Sequence, residues 1–434
     1  MPDSPATTPE HSETEQCDLA IIGAGAAGLT AAIFAGRENL AQQLHRKILL
    51  LDGARRPGAK ILVSGGGRCN ITNEKVGSSD YCTSGSTNVV RNILTRFNQH
   101  QVLEWMQGLG VEVKREEPWG KYFPVSDTAK TVLEALMQEV ARLNVELRAG
   151  ERVQEITPLE GGGFRILQNN RGPVLARRVI LATGGLSLPK SGSDGWGLEW
   201  ARQLGHEIVP TTPSLVPLVT DGGDPVAAQL QQLSGVTWRG ALDLVQVKTG
   251  KVVYSREDSM LLTHFGLSGP AVLDFSRHWL RTRIEHPAEE FQARLRIPRF
   301  ASLEAAHTWL KNQTTTPPKN TLEKLLTAHV PQALAAFYAQ GVGGWATISK
   351  EERHRIGERL GGLPLALQDS RGYPFAETTA GGIALGEIDW RTMESKRVPG
   401  LYFCGEVLDV DGRIGGFNFQ WAWSSGFVAG KAAV

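Results

Sequence analysis

Apolar residues sit together in "CDLAII" (17–22) and "KILLLD" (47–52), and recur at helical intervals in the intervening "LTAAIFAGR" (29–37), which follows the turn "GAGAAG" (23–28). This pattern predicts strand, glycine turn, helix and strand, the β-α-β unit of a doubly wound sheet. In "TAKTVLEALMQEVARLN", Val132, Leu133, Leu136, Val140 and Leu143 repeat at helical spacing, predicting an amphipathic helix. Between Glu151 and Thr183 the short alternating run "GFRILQ" and then "RRVILATGG" predict a hairpin feeding a buried strand. From Ile208 to about Ile297, β-branched residues and turn formers predict an antiparallel β domain. Four short helical patterns follow, "SLEAAHTWLKNQ", "NTLEKLLTAHV", "PQALAAFYAQ" and "SKEERHRIGERL". Asn320 with Glu323 and Ser349 with Glu352 read as capping boxes. The chain then returns to strand and glycine in "VPGLYFCGEVLDVDG" and ends in the helical "FNFQWAWSSGFVAGKAA". The expected division is a disordered tail over 1–16, an α/β domain over 17–207 plus 373–434, an antiparallel β domain over 208–300 plus 361–372, and a helical insertion over 301–360.

Composition narrows the function classes. The 46 Lys and Arg against 45 Asp and Glu leave a formal charge of +1, so no field of one sign draws nucleic acid or anionic lipid. Glycine accounts for 49 of 434 residues, well above the usual share of about 7%, and its clustering suggests backbone brought close to a ligand. Cys17, Cys69, Cys82 and Cys404 are scattered without a CxxC, so no zinc site or dithiol centre is encoded locally, no metal is expected, and a reducing cytoplasm fits best. The polar start lacks the apolar run of a signal peptide, and no run approaches the roughly 20 apolar residues of a membrane span.

The motif Gly23-x-Gly25-x-x-Gly28, with Ala26 and Ala27 in the turn, follows an apolar strand and opens a helix. Such glycines permit a tight turn and the approach of a diphosphate to the helix N-terminus. Asp52 closes the second strand, where a carboxylate accepts both hydroxyls of an adenosine ribose and repels the 2′-phosphate of NADP; Arg55 and Arg56 nearby weaken that exclusion. The motif itself does not separate NAD from FAD. Ala182, Thr183 and Gly184 of "RRVILATGG" resemble the strand that many two-dinucleotide-fold flavoproteins place beside FAD. Gly405, Glu406 and Asp409 of "PGLYFCGEVLD" resemble their strand and acidic turn along the ribityl chain. Gly415 and Gly416 precede the last helix, whose N-terminal amides, from Gly416 through Phe417 and Asn418 to Gln420, suit the negative charge at N1 and O2 of a reduced flavin. Phe417, Phe419, Trp421 and Trp423 read equally as core aromatics. In "KILVSGGGRCNITN", Gly65, Gly66 and Gly67 bare the backbone, while Lys60, Ser64, Arg68 and Asn70 supply polar groups beside it.

Together "KILVSGGGRCNITN", "LATGGLSLPKSGSDGWG", "PSLVPL", "LLTHFGLSGPAVLDFSR" and the long run from "TTAGGIALG" to "WAWSSG" resemble the bacterial FAD-binding flavoproteins of BaiN or aminoacetone-oxidase-like type, from about Asp18 to Ala433. The resemblance implies an α/β fold with three parts: a Rossmann-like discontinuous FAD-binding domain, an inserted antiparallel β domain, and a small helical domain inserted into that. It also implies non-covalent FAD, with Val153 joining the cofactor contacts. Members of that family, distantly similar to the fumarate reductase class, are associated with reducing activated carbon–carbon double bonds and with oxidising small amines. Phe417 departs from the tyrosine expected in "GGFNFQ", which alters one hydrogen bond.

For chemistry at the flavin the candidates are His264, in a glycine-flanked loop, and the permanently charged Arg68. His264 reads equally as an interdomain structural histidine. Arg68 suits a substrate carboxylate or carbonyl, a flavin phosphate, or bracing of its loop. Lys60 points either to the flavin or to solvent, and Cys69 reads as packing. The expectation is an FAD-dependent oxidoreductase acting on a small or medium organic substrate through flavin N5, as a reductase of an activated double bond. NAD(P)H would be a transiently docked electron donor, since no second dinucleotide motif is present. The alternatives are an amine oxidase using oxygen, a flavoprotein acting on RNA, against which the near-zero charge argues, and a flavin-binding module without turnover. The oligomeric state stays open.

Overall fold

The computed structural model describes residues 15–315, 320–343 and 348–434. Most of the expected tail lies outside the described residues, and its last two residues, Glu15 and Gln16, already belong to the first strand, β1 (Glu15–Ile22). Two compact units account for the rest: one combines the chain up to 185 with 190–209 and 381–434, the other combines 186–189 with 210–380. The chain thus re-enters the first unit at Gly381, later than position 373, because the stretch around Arg371 pairs with the sheet of the second unit.

In the first unit β1 lies at the centre of a nine-stranded sheet. On one side it runs parallel to Val174–Leu181, which in turn runs parallel to Leu401–Phe403. On the other side β2 (Ile48–Asp52) and then Glu146–Ala149 continue the parallel order. Leu49, Leu50 and Leu51 are wholly buried, as expected of a parallel strand covered on both faces. Val153–Pro158 and Phe164–Gln168 form the expected antiparallel hairpin beside Val174–Leu181.

Helix α1 (Ala26–Ala41) starts directly at the turn and packs along the C-terminal helix Phe417–Ala432. Small residues set that approach. A Cβ on Gly426 would lie 2.5 Å from Ala27 O, and one on Gly430 would lie 2.3 Å from Ala31 O, so these two glycines let the helices nearly touch. Glu139, on the expected helix Ala129–Arg142, binds Arg37 of α1 and Arg142.

The second unit is a seven-stranded sheet in the order Leu363–Leu365, Phe291–Arg296, Thr237–Gln246, Val252–Thr263, Gly266–Ser268, Leu218–Thr220, Leu367–Ser370. It is not purely β. Pro225–Gln232 and Pro270–Glu285 are helices, each with proline in its first turn, and Phe275 of the longer one is wholly buried against the sheet. Helices also form over Leu303–Thr315, Leu322–Leu326, Gln332–Ala339 and Lys350–Gly362. Ser349 and Glu352 make the expected capping box, whereas the cap near 320 is Thr321, whose hydroxyl accepts from Lys324 N at 3.3 Å. Leu310, Leu326, Leu334 and Leu360 share one core with Leu242 and Leu295 of the sheet, so these helices complete the second unit's core and do not form one of their own.

Candidate cofactor and active site

The turn after β1 is fixed by close backbone contacts. A Cβ on Gly23 would sit 2.5 Å from Ala182 O, and one on Gly28 would sit 1.8 Å from Gly23 O. Gly25 differs. It is the N-cap of α1 with no side-chain cap, and a Cβ there would meet nothing within 4 Å. The Cβ position of Gly25 thus opens onto unfilled space at the positive end of a 16-residue helix, whose first-turn amides include those of Ala26 and Ala27. Asp52 Oδ2 accepts from Ala24 N at 2.6 Å and Oδ1 from Ala54 N at 2.7 Å. The carboxylate thus ties the turn to β2, and each oxygen keeps a lone pair for a ribose hydroxyl.

Glu151, absent from the sequence-based candidates, donates its N–H to Asp52 O at 3.0 Å. Its Oε2 is buried without a hydrogen-bond partner among the described residues. No motif marks it; a buried acceptor becomes visible only once β2 and the hairpin are placed. Its neighbour Val153 is buried at the start of that hairpin. Thr183 Oγ1 is likewise buried and unpartnered. A Cβ on Gly184, where φ is +73°, would crowd Ser193 Oγ at 2.5 Å and lie 3.9 Å from Lys60 Nζ. Lys60 Nζ donates to Glu406 Oε2 at 2.7 Å, so Lys60, Gly184 and Glu406 meet, as do Gly405 and Ala27, whose Cβ lies 2.7 Å from one built on Gly405.

Helix α2 (Ala59–Gly67) loses helical geometry at Ser64, and Gly65, Gly66 and Gly67 then take φ of +56°, +70° and +85°. Gly65 is braced by Phe123 and Asn70, whereas a Cβ on Gly66 meets nothing within 4 Å and one on Gly67 meets only Leu62 O at 3.8 Å. Two consecutive peptides are thus bare on an open face. Ser64 Oγ donates back to Ile61 O at 2.9 Å. Cys69 is fully buried, and burial pushes its thiol up to about 12, so it stays protonated and packs. Arg68 pairs with Glu116, reaches Asp127 at 3.6 Å, and lies over the Phe123 ring at 4.0 Å. These contacts brace the loop.

The same loop is stitched to the C-terminal helix. Asn70 donates to Thr72 O and accepts from Gly416 N, both at 3.1 Å. Thr72 Oγ1 donates to Gln420 Oε1 at 2.6 Å, and Asn73 Nδ2 donates to Gly415 O at 3.0 Å. Asn418 exchanges hydrogen bonds with Gly412 N and O at 2.8 and 2.9 Å. The side chains of Asn418 and Gln420 are therefore engaged in holding loops. Gly416 N–H is taken by Asn70. Phe417 is wholly buried, and its carbonyl accepts from Tyr81 OH at 2.8 Å. Buried Asp409 accepts from Ser84 N at 2.8 Å and Ser84 Oγ at 2.5 Å.

His264 lies in the second unit, exposed in the tight turn between Val252–Thr263 and Gly266–Ser268, its ring edge-on to Phe265 at 5.2 Å. Among the described residues no helix is long and apolar enough to cross a membrane.

The open faces at Gly25, Gly66 and Gly67, with the unpartnered acceptor of Glu151 and hydroxyl of Thr183, fit a long dinucleotide carrying a flat ring. The comparisons agree in kind. The family described as HI0933-like protein Rossmann domain matches residues 17–432. The chain is 35% identical over 424 residues to the ribosomal RNA dihydrouridine synthase of Escherichia coli K12, covering 96% of this chain and 98% of that protein. It is 33% identical over 430 residues to the 3-dehydro-bile acid delta(4,6)-reductase of Clostridium scindens, covering 96% and 98%. Among solved structures, the 3-ketosteroid-delta4-(5alpha)-dehydrogenase of Rhodococcus jostii RHA1 shares the fold, with a TM-score of 0.50 and 16% identity over 99% of both chains. On the extent of these matches the chain belongs to the HI0933-like family, FAD-dependent oxidoreductases built on a Rossmann domain.

Proposed function

We propose that this protein reduces a carbon–carbon double bond conjugated to a carbonyl group, using FAD and a nicotinamide donor that docks only transiently. One observation carries the reading. Two relatives of nearly equal identity and full coverage bear names with different substrates, a uridine of ribosomal RNA and a 3-dehydro bile acid, yet both names denote reduction of a ring double bond. In both substrates the bond is conjugated to a carbonyl, so the shared chemistry is hydride addition to an electron-poor carbon. Bound FAD supplies the hydride at N5. The chain's part is to hold the diphosphate at the open end of α1, the ribose at Asp52, and the ring over Gly66 and Gly67. The backbone amides after Gly416 supply a positive helix end for the charge of the reduced ring.

A second reading takes the substrate to be a uridine within ribosomal RNA, favoured by the Escherichia coli relative and by a 32% identical Haemophilus influenzae relative of the same name. The test is anaerobic. NADH or NADPH should bleach the flavin, and progesterone or ribosomal RNA from cells lacking this gene should restore its colour, with the product gaining two hydrogens. A flavin that neither nicotinamide bleaches, or that only oxygen reoxidises, overturns the proposal.

A further inference from the structure

In the first unit, strands Val113–Glu116 and Lys121–Pro124 are joined by the turn 117–120, and the second of them pairs with Thr72–Asn73. The turn is fastened to that third strand and to its continuation. Asn73 Nδ2 donates to Trp119 O at 3.1 Å, Glu74 N donates to Gly120 O at 2.8 Å, and Arg115 pairs with both Glu74 and Glu117. The same Asn73 nitrogen donates to Gly415 O at 3.0 Å, so one amide holds the tip of the turn beside the start of the C-terminal helix. Further along the sheet, a Cβ on Gly65 would lie 3.0 Å from the Phe123 ring. This small sheet therefore touches both backbone stretches proposed to hold the flat ring of the cofactor, the loop Gly65–Gly67 and the glycines before Phe417.

Trp119 keeps 44% of its surface exposed, and among the described residues it is the one tryptophan so open. Trp105, Trp200, Trp421 and Trp423 of the same unit are all buried. The turn is closed by backbone hydrogen bonds and ion pairs, so the indole is not needed to shape it. Leaving a large aromatic surface in water costs free energy, and a turn fixed this way has already lost the freedom that binding would otherwise take. An indole offers a broad flat face that suits offset stacking on a planar ring. Arg115 pairs with both carboxylates of the turn, Glu74 and Glu117, so their charge is balanced where such a ring would approach.

We propose that Trp119 is a substrate-binding residue whose indole stacks on the flat unsaturated ring that the enzyme reduces. This rests on the reductase reading, including its placement of the cofactor ring, and names the residue that grips the substrate. Trp119, Asn73, Gly65 and Gly415 all belong to the first unit, so the grip is built from the same unit that carries the cofactor cradle. The shared ligand chemistry is the planar conjugated ring, whether the enone ring of a steroid-like ketone or a uracil ring turned out of an RNA stack.

The test uses oxidised holoenzyme without reductant, so that binding is read apart from turnover. Equilibrium dialysis with progesterone, and separately with ribosomal RNA from cells lacking this gene, identifies which source binds. Trp119→Ala should weaken binding of that probe by about tenfold or more, since the stacking face is lost. Trp119→Phe, smaller but still aromatic, should stay within about threefold of wild type. FAD content and melting temperature of both variants should match wild type, because the turn keeps its backbone hydrogen bonds and ion pairs. Unchanged binding in Trp119→Ala, a Trp119→Phe variant as weak as Trp119→Ala, or no binding of either probe by wild type overturns the assignment. Loss of FAD from Trp119→Ala also overturns it, by making the indole a brace of the cofactor loops. The two proposals fail separately. Reoxidation of reduced flavin by the probe with an unaltered KM in Trp119→Ala removes Trp119 and leaves the reductase. Trp119-dependent binding without reoxidation removes the reductase and leaves the stacking site.

Discussion

Helix α1 and the C-terminal helix lie against each other, and each begins at a glycine without a side-chain cap, Gly25 and Gly416. At Gly25 the backbone is extended, with φ of −79°, and the space around its α-carbon is open. At Gly416 φ is +94°, a Cβ would fall 2.7 Å from the Thr72 carbonyl, and the N–H is held by Asn70. One glycine leaves room for a ligand; the other makes room for the protein's own loop. The same residue in the same cap position thus has opposite physical reasons, and substitution separates them.

The largest effect is expected at Gly416. Alanine there combines a left-handed backbone with a clash against main chain that cannot rotate away, so Gly416→Ala should destabilise the protein by about 3 kcal/mol or more. Chemical denaturation of apoprotein measures it, and a loss under about 1 kcal/mol would mean the loop yields easily. Gly25→Ala should do the reverse. Apoprotein stability should stay within about 0.5 kcal/mol, since nothing is displaced, while FAD affinity should fall by about 10-fold to 100-fold as the methyl intrudes on the diphosphate. Fluorescence titration of apoprotein with FAD reads this directly, and an unchanged affinity would move the diphosphate elsewhere.

Toward the other end of α1, Glu139 holds the helix through Arg37. The guanidinium of Arg142, with that of Arg37, holds its carboxyl down to about 2 from the usual 4.5. A lowered folded-state value means that the stabilisation is fully present above about pH 4.5 and is lost as pH falls toward 2. With both arginines partly in water, the contribution should be on the order of 2 kcal/mol. Glu139→Gln should cost that much at pH 7 and little at pH 2.5, as read from denaturation midpoints across pH. The smallest effect is expected at Cys69, whose thiol burial keeps protonated. Cys69→Ala should leave FAD affinity within about twofold and cost about 1 kcal/mol. A loss of flavin binding there would make the cysteine a cofactor contact.

The β-α-β unit, the hairpin and the four short helical segments of the second unit were legible because each rests on local periodicity. Helix Pro270–Glu285 was hidden inside a stretch that reads as strands, although Gly269 and Pro270 carry a start signal. The motif Gly23-x-Gly25-x-x-Gly28 marked the right turn but did not tell its open glycine from its two packed ones, which depends on Ala182 and on the turn's own carbonyl. The pairing of Thr72 with Gln420, like that of Asn70 with Gly416, joins residues nearly the whole chain apart. Side-chain types alone do not encode such pairings.

The most direct measurement is a crystal structure of the protein with FAD. The expected result places the diphosphate within hydrogen-bond distance of the first-turn amides of α1, a ribose hydroxyl on Asp52, and the isoalloxazine against Gly66 and Gly67 with its pyrimidine edge toward the amides after Gly416. A diphosphate bound away from Gly25, or a ring that does not touch the Gly66–Gly67 backbone, would contradict it.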